Sequence, residues 1–445
     1  MSLLSGWGRT APSAATVVTP ASEDDVAAIL ADAPRGVIAR GLGRSYGDAA
    51  QLAGGTVIDV RGLGGIGELD DADGTVRVGA GTSLQDLLEV TVPKGWFVAV
   101  TPGTRQVTVG GAIAADVHGK NHHRDGAFCS HVASLRLVTP SGAMTVSPED
   151  DPAAFWGTAG AMGLTGIVTE ATLRLTPIET DVVLVDTDRC GDLDEVMAAM
   201  HSADDDRRYS VAWIDCMTTG RRLGRAVLTR GDHARREDLG AQDRDRPLRA
   251  PGASRLKVPV VAPPGLLNRA SIRAFNEAWF RRAPSHRAGE PVELGAFFHP
   301  LDFVADWNLL YGPRGVVQYQ LAVPDAGAEA VRRSIELLAS SGVPSFLGVL
   351  KRFGPADPAP LSFPMLGWTL ALDVPVGPPQ LPAVLDQLDE LVASSGGRVY
   401  LAKDARLDPR HLAVMYPRLG ELTALRERLD PRGVLDSDLA RRLGV

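Results

Sequence analysis

The chain predicts an α+β fold in two parts, a glycine-rich ligand-binding module and a second domain built on a larger sheet. Three observations carry this. Short strands interleave with short helices through the first 180 residues, without a regular βα repeat. More than half of the 48 glycines fall in the first 170 residues. From about Asp181 glycine thins out, and longer strands and helices take over.

The totals narrow the class. A length of 445 residues suits two or three domains, and 44% hydrophobic against 22% charged residues predicts a packed core rather than disorder. A net charge of −8 argues against broad nucleic-acid binding. Cys129, Cys190 and Cys216 have no metal-ligand or redox spacing. Met1 to Thr10 has no apolar core of a secretory signal, and no apolar run has the length of a membrane span.

Taken in order, Ser22 reads as an N-cap, followed by acids Glu23 to Asp25 and an apolar face of Val26, Ile29 and Leu30. Val37 to Arg40 is a strand running into Gly41-Leu42-Gly43-Arg44-Ser45-Tyr46-Gly47-Asp48. This loop has the spacing G-x-G-x-x-x-G, and a further strand, Thr56 to Val60, follows in place of a helix. A nicotinamide-type dinucleotide fold needs strand, glycine turn, then helix, so that reading is rejected. A plain hairpin turn remains an equal reading of the loop taken alone. Val76 to Gly81 is a strand, and Ser83 caps a helix bearing Leu84, Leu87 and Leu88.

Trp96 to Val100 delivers the chain to the segment from Thr101 to His123, which organises the whole. A Pro-Gly turn and a threonine-rich approach lead to Gly110-Gly111. The small residues Ala112 to Ala115 and then His118-Gly119-Lys120-Asn121 follow. Paired glycines let backbone pass close to a ligand, and a helix start offers free N–H groups to an anion. The segment therefore suits a cofactor with a pyrophosphate and a reactive ring. His118, His122 and His123 have a spacing that metals use on helices. Gly119 disfavours a helix there and no carboxylate or cysteine completes a ligand set, so no metal is expected. Leu135 to Thr139 and Met144 to Val146 form a hairpin, and strand Thr169 to Thr176 closes the first region.

In the second region Val211 to Asp215 is a strand, with Trp213 read as core. Residues 221–257 are rich in arginine, and an apolar, proline-rich loop from Val258 to Leu267 follows. Together, residues 221–267 suit peripheral contact with a lipid phosphate or membrane surface; a solvated mobile loop fits equally. Val316 to Leu321 alternates as a strand, so Gln318 and Gln320 share one face. A helix over 327–341, strands Ser345 to Arg352 and Trp368 to Val374, and a helix over 381–395 complete an antiparallel sheet with helices on one side. Gly397 to Asp404 is strand-then-polar, and residues 407–445 read as helical.

Taken together, the glycine segments, His118-Gly119-Lys120-Asn121 and Ala402-Lys403-Asp404 resemble the vanillyl-alcohol-oxidase type of FAD-dependent oxidoreductase. Within it the chain is similar to the decaprenylphosphoryl-β-D-ribose 2′-oxidases of actinobacteria. The resemblance runs from Gly6-Trp7-Gly8-Arg9 to the C-terminal Arg441-Arg442-Leu443, and includes Tyr311-Gly312-Pro313, Gln318-Tyr319-Gln320 and Leu361-Ser362-Phe363-Pro364. It implies an FAD-binding domain from residues 1–180 and 398–445 around a substrate-binding domain, 181–397. Ala39, Arg40, Gly41, Leu42, Gly43, Arg44, Ser45, Tyr46, Gly47 and Asp48 would wrap the FAD pyrophosphate. Gly103 and Thr108, Val109, Gly110 and Gly111 would meet the same phosphates and adenosine. His118, Gly119, Lys120 and Asn121 would flank the flavin ring, with Val168 and Tyr400 completing the pocket. The flavin would be held non-covalently.

The implied reaction is oxidation of the 2′-hydroxyl of decaprenylphosphoryl-β-D-ribose to a ketone, with hydride leaving for flavin N5 while a base takes the hydroxyl proton. This is the first step of epimerisation to the arabinose donor of cell-wall arabinan, and a keto-sugar reductase partner completes it. Lys403, Tyr46 and His118 are the candidate catalytic residues. Lys120, Tyr311, Gln318, Gln320, Lys351, Thr369, Ala371 and Lys403 are the candidate substrate contacts. Lys403 serves either as base or as hydrogen-bond donor. The expected location is the cell envelope, peripherally on a membrane, on either face. Two departures stand out: mycobacterial members carry cysteine where this chain has Ala371 and asparagine where it has Thr369. Other functions that fit are a same-fold oxidase of a soluble sugar, alditol or aldonolactone, and a non-catalytic flavin scaffold for the reductase.

Overall fold

The computed structural model describes residues 1–202, 206–240, 244–252 and 256–445. Residues 241–243 and 253–255 of the expected membrane segment lie outside the described residues.

Three sheets organise the chain. The first has the strand order Ser2–Leu4, Ser13–Val18, Thr56–Asp59, Val37–Arg40. Its last three strands are parallel. The helix Glu23–Ala31 crosses between two of them, with Ser22 forming a reciprocal capping box with Asp25. Thr56–Asp59 then inserts between the strands that preceded it, so the Gly41–Asp48 loop leaves its strand without entering a helix. The second sheet centres on Ile167–Pro177, flanked by Thr75–Gly79 and Val132–Thr139, with Trp96–Val98 on its end. Gly110 and Gly111 do not precede the next helix. They form its first turn, because Thr108 caps Val109–Ala114 by accepting the Gly111 N–H at 3.1 Å.

The third sheet is antiparallel throughout: His286–Glu293, Val182–Cys190, Ala226–His233, Tyr209–Ile214, Leu347–Phe353, Gly367–Pro375, Val316–Val323 and Arg398–Val399. Helices Leu193–Ser202, Glu329–Ser341 and Leu381–Ser394 bury their apolar sides on it. The strand expected from residue 397 is only two residues long, and Tyr400–Lys403 turns back on itself, Lys403 N–H donating to Tyr400 O.

The C-terminus returns to the first sheet. Val37 bridges Leu435, and Arg442 binds both Asp48 and Asp404 at 2.8 Å. Gly47 makes this return possible: a Cβ there would stand 1.7 Å from the Asp404 carbonyl oxygen. No helix among the described residues is long and apolar enough to cross a membrane.

Candidate active site

A cavity of about 610 Å³ lies between the glycine-rich module and one face of the large sheet. One wall is backbone. Gly41 packs so closely that a Cβ would stand 2.2 Å from Thr108 Oγ1, and the N–H groups of Gly43, Arg44 and Ser45 donate to no protein acceptor among the described residues. Pro102, Gly103, Thr108 and Gly111 continue this wall. Free N–H donors lining a concave, side-chain-poor surface are what a pyrophosphate requires. The residues present therefore fit FAD.

The opposite wall is written by strand period. In Leu347–Phe353 the residues Leu347, Val349 and Lys351 face the cavity. Ala371 does so from Gly367–Pro375, and Gln318 and Gln320 from Val316–Val323. Register sets Gln320 beside Ala371 and Gln318 beside Asp373, and Lys351 beside Thr369.

Lys403, Tyr46 and His118 all reach this wall. Lys403 Nζ lies 4.3 Å from the centre of the Tyr46 ring. Burial pushes its ammonium down to about 8, against the upward pull of the Asp373 carboxylate. Gln318 donates to Tyr46 Oη at 3.1 Å and also to Asp373. Burial, then the Asp373 charge, holds the Tyr46 phenol well above its ordinary value, so Tyr46 stays protonated. His118 meets Gln320 through Nε2 at 2.9 Å and Lys351 Nζ through Nδ1 at 2.9 Å. The same Gln320 amide donates to Thr369 Oγ1 at 3.2 Å. His118 is thus held between Gln320 and Lys351. Burial, then neighbouring Lys120 and Lys403, pushes Lys351 down to about 7. Burial, then Lys351, holds His118 well below its usual value. Tyr400 stacks on Phe363, with ring centres 4.6 Å apart, and its hydroxyl donates to Ala115 O.

Other expected contacts have protein partners of their own. The Arg40 guanidinium donates to Ser5 O and Ala50 O, and Asp48 binds Arg442. Asn121 donates to Ala99 O and Asp125. Val109 is core, Gly110 abuts Ala80, and Gly119 packs on Thr101. Val168 is buried in its strand. Lys120 lies over the Phe297 ring and donates to its carbonyl, with burial pushing the ammonium to about 7. Tyr311 reaches Asp373 at 3.2 Å, and Thr369 donates to Leu321 O.

The sequence reading passed over Asp373, although period two in Trp368 to Val374 puts it on one face with Thr369 and Ala371. Trp7, Met162, Leu301, Val304 and Trp307 also line the cavity and are not among the expected contacts.

Comparison with known proteins agrees with this geometry. Residues 14–147 match the FAD binding domain family. The chain is 42% identical over 450 positions to decaprenylphosphoryl-beta-D-ribose oxidase of Mycolicibacterium smegmatis, covering 99% of this chain and 97% of that protein. It is 41% identical over 372 residues to an uncharacterized protein in the mprA 5′ region of Streptomyces coelicolor, covering 82% of this chain and all of that one. Cytokinin dehydrogenase 2 of Arabidopsis thaliana is 31% identical over 165 residues, 36% of this chain and 33% of its own. The last likeness covers about a third of the chain, whereas the first covers nearly all of it. The chain thus belongs to the decaprenylphosphoryl-β-D-ribose oxidase family, FAD-dependent oxidoreductases.

Proposed function

We propose that this enzyme oxidises the 2′-hydroxyl of a polyprenylphosphoryl ribose to the ketone. The observation that carries the reading is the meeting of Lys403, Tyr46, Gln318 and Lys351 at a wall facing the glycine-rich cradle. FAD, when bound, supplies the hydride acceptor. The chain's own residues bind and orient the sugar and take its proton. Lys403, held over the Tyr46 ring, is neutral often enough near pH 8 to accept the hydroxyl proton. Gln320 and Lys351, tied to His118, fix the ring's other hydroxyls. Both His118 nitrogens are engaged by these neighbours, which supports a flavin held without a covalent bond.

Residues 1–180 with 398–445 form the cofactor module in this reading, and 181–397 the substrate module. The return of Leu435 and Arg442 to the first sheet supports it. The two-residue strand Arg398–Val399 sits on the large sheet and is where the chain crosses over. The keto-sugar product requires a reductase to complete an epimerisation.

Contact with a membrane is supported by one surface. Leu256, Val260, Val261, Leu266, Phe275, Trp279 and Phe303 are exposed together with Arg273, Arg281 and Arg282. The Leu256–Lys257 strand pairs with Val304–Ala305, which lines the cavity, so this surface adjoins the site. Most of the arginine run itself is engaged within the protein. Arg225 is buried between Asp215 and Glu277, Arg230 binds Asp188, and Arg249 binds Asp181. The expected contact therefore narrows to the apolar end of residues 221–267 and extends into helix Arg269–Arg282.

Incubation with farnesylphosphoryl ribose and an electron acceptor tests the reaction. The sugar should lose one hydrogen from C2′ and one from its hydroxyl, and the flavin should separate from the protein on denaturation. Oxidation of a free alditol or aldonolactone, with the prenyl substrate untouched, would overturn the reading.

A further inference from the structure

We infer that Asp373 is a positioning residue for the proton-accepting step: its carboxylate, anchored behind the cavity wall by Tyr311 and Gln318, holds Lys403 in place and stabilises its protonated form. The inference rests on the reading of Lys403 as the base.

Asp373 is 1% exposed and lies mid-strand in Gly367–Pro375. An isolated carboxylate in such a place is costly unless it is hydrogen-bonded and faces a cation. Its bonded partners are neutral. Tyr311 O–H donates to Oδ2 at 3.2 Å, and the Gln318 amide donates to Oδ1. That amide's other hydrogen goes to Tyr46 Oη, and the Tyr46 ring carries the Lys403 ammonium. Tyr311, Asp373, Gln318, Tyr46 and Lys403 thus form one connected chain from the sheet to the reacting group.

The charges around Lys403 make the role specific. From the glycine loop it faces Tyr46, with Arg44 beyond. The sheet contributes Asp373 and Lys351, and His118 faces it from the segment after Ala115. Asp404, next in the chain, is bound to Arg442. Among the described residues facing Lys403, Asp373 is the carboxylate that no arginine engages. When Lys403 accepts the hydroxyl proton, an ammonium forms near Lys351 in a dry site. The Tyr46 ring face and the Asp373 charge oppose that cost. Asp373 itself feels the same closeness: burial raises its carboxyl to about 6, with Gln318 and then Lys403 drawing it down.

The test is the pH dependence of anaerobic flavin reduction by farnesylphosphoryl ribose in the flavin-loaded Asp373→Asn and Asp373→Glu proteins. Asp373→Asn should move the acid limb to lower pH by roughly one unit, the size expected on removing a nearby opposite charge. Asp373→Glu should restore the limb. Should the asparagine protein not bind flavin, Asp373→Ser supplies a second neutral side chain with the same expected shift. Equal loss of rate at every pH with the limb unmoved would overturn the inference. Failure of the underlying reading is separable: Lys403→Met would then keep the parent's acid limb, whatever its rate.

Discussion

Ala371 shows how one side chain sets what the site does beyond its reaction. It faces the cavity from a strand whose neighbours are Gln320 and Val349. Nothing in proton acceptance by Lys403 needs a thiol there. Electrophilic inhibitors that bond to the cysteine of mycobacterial relatives should form no adduct with this protein. Ala371→Cys should gain one, read as added mass on the intact chain, with oxidation of the sugar retained. An adduct on the parent protein would show that another nucleophile lines the site.

The same scale shows which residues were legible. Period two puts Gln318 and Gln320 on one face, and the family resemblance, more than that period, turns the face inward. Asp373 carries the same period-two signal, on one face with Thr369 and Ala371. Arg40, Asp48 and Asn121 lay in the right segments, yet their side chains are taken by Ser5, Arg442 and Asp125. Spacing alone does not tell a residue that touches a ligand from one that holds the loop in shape.

Among elements, the Gly41–Asp48 loop does two jobs with its glycines. Gly41 admits the close approach of Thr108, and Gly47 admits the C-terminal segment. Gly47→Ala should cost about 3 kcal/mol or more and weaken flavin retention, since the added methyl meets a carbonyl that cannot swing aside. Gly64→Ala, where the backbone is extended and a Cβ meets its first neighbour at 3.6 Å, should change stability by less than about 0.5 kcal/mol. Denaturant midpoints compare the two; equal midpoints would remove Gly47 from the docking argument. Capped helices and alternating strands were legible because their signals are local. The parallel pairing of Thr56–Asp59 between Ser13–Val18 and Val37–Arg40 was not, because it depends on contacts between distant segments.

At the scale of the whole molecule, two modules close over one cavity, and an aromatic, arginine-bearing surface adjoins it. Phe275 and Trp279 stack on the exposed side of helix Arg269–Arg282, with ring planes 14° apart. Such a face, basic on a chain of net charge −8, suits an anionic bilayer. Flotation with phosphatidylglycerol vesicles should recover the parent protein, and Phe275→Glu with Trp279→Glu should reduce recovery about tenfold, given the cost of placing two carboxylates at the headgroups. Unchanged flotation would move the membrane face elsewhere. The basic run signalled this region, but its partners Asp181, Asp188, Asp215 and Glu277 are scattered along the sequence. Only folding reveals that they engage Arg222, Arg225, Arg230 and Arg249.

We propose that this cavity takes a lipid-linked ribose. Anaerobic mixing of the yellow protein with farnesylphosphoryl ribose tests it directly by flavin absorbance. Bleaching should be rapid with the prenyl substrate, slight with free ribose or an alditol, and lost in Lys403→Ala. Bleaching by a free polyol with the prenyl substrate inert would contradict it.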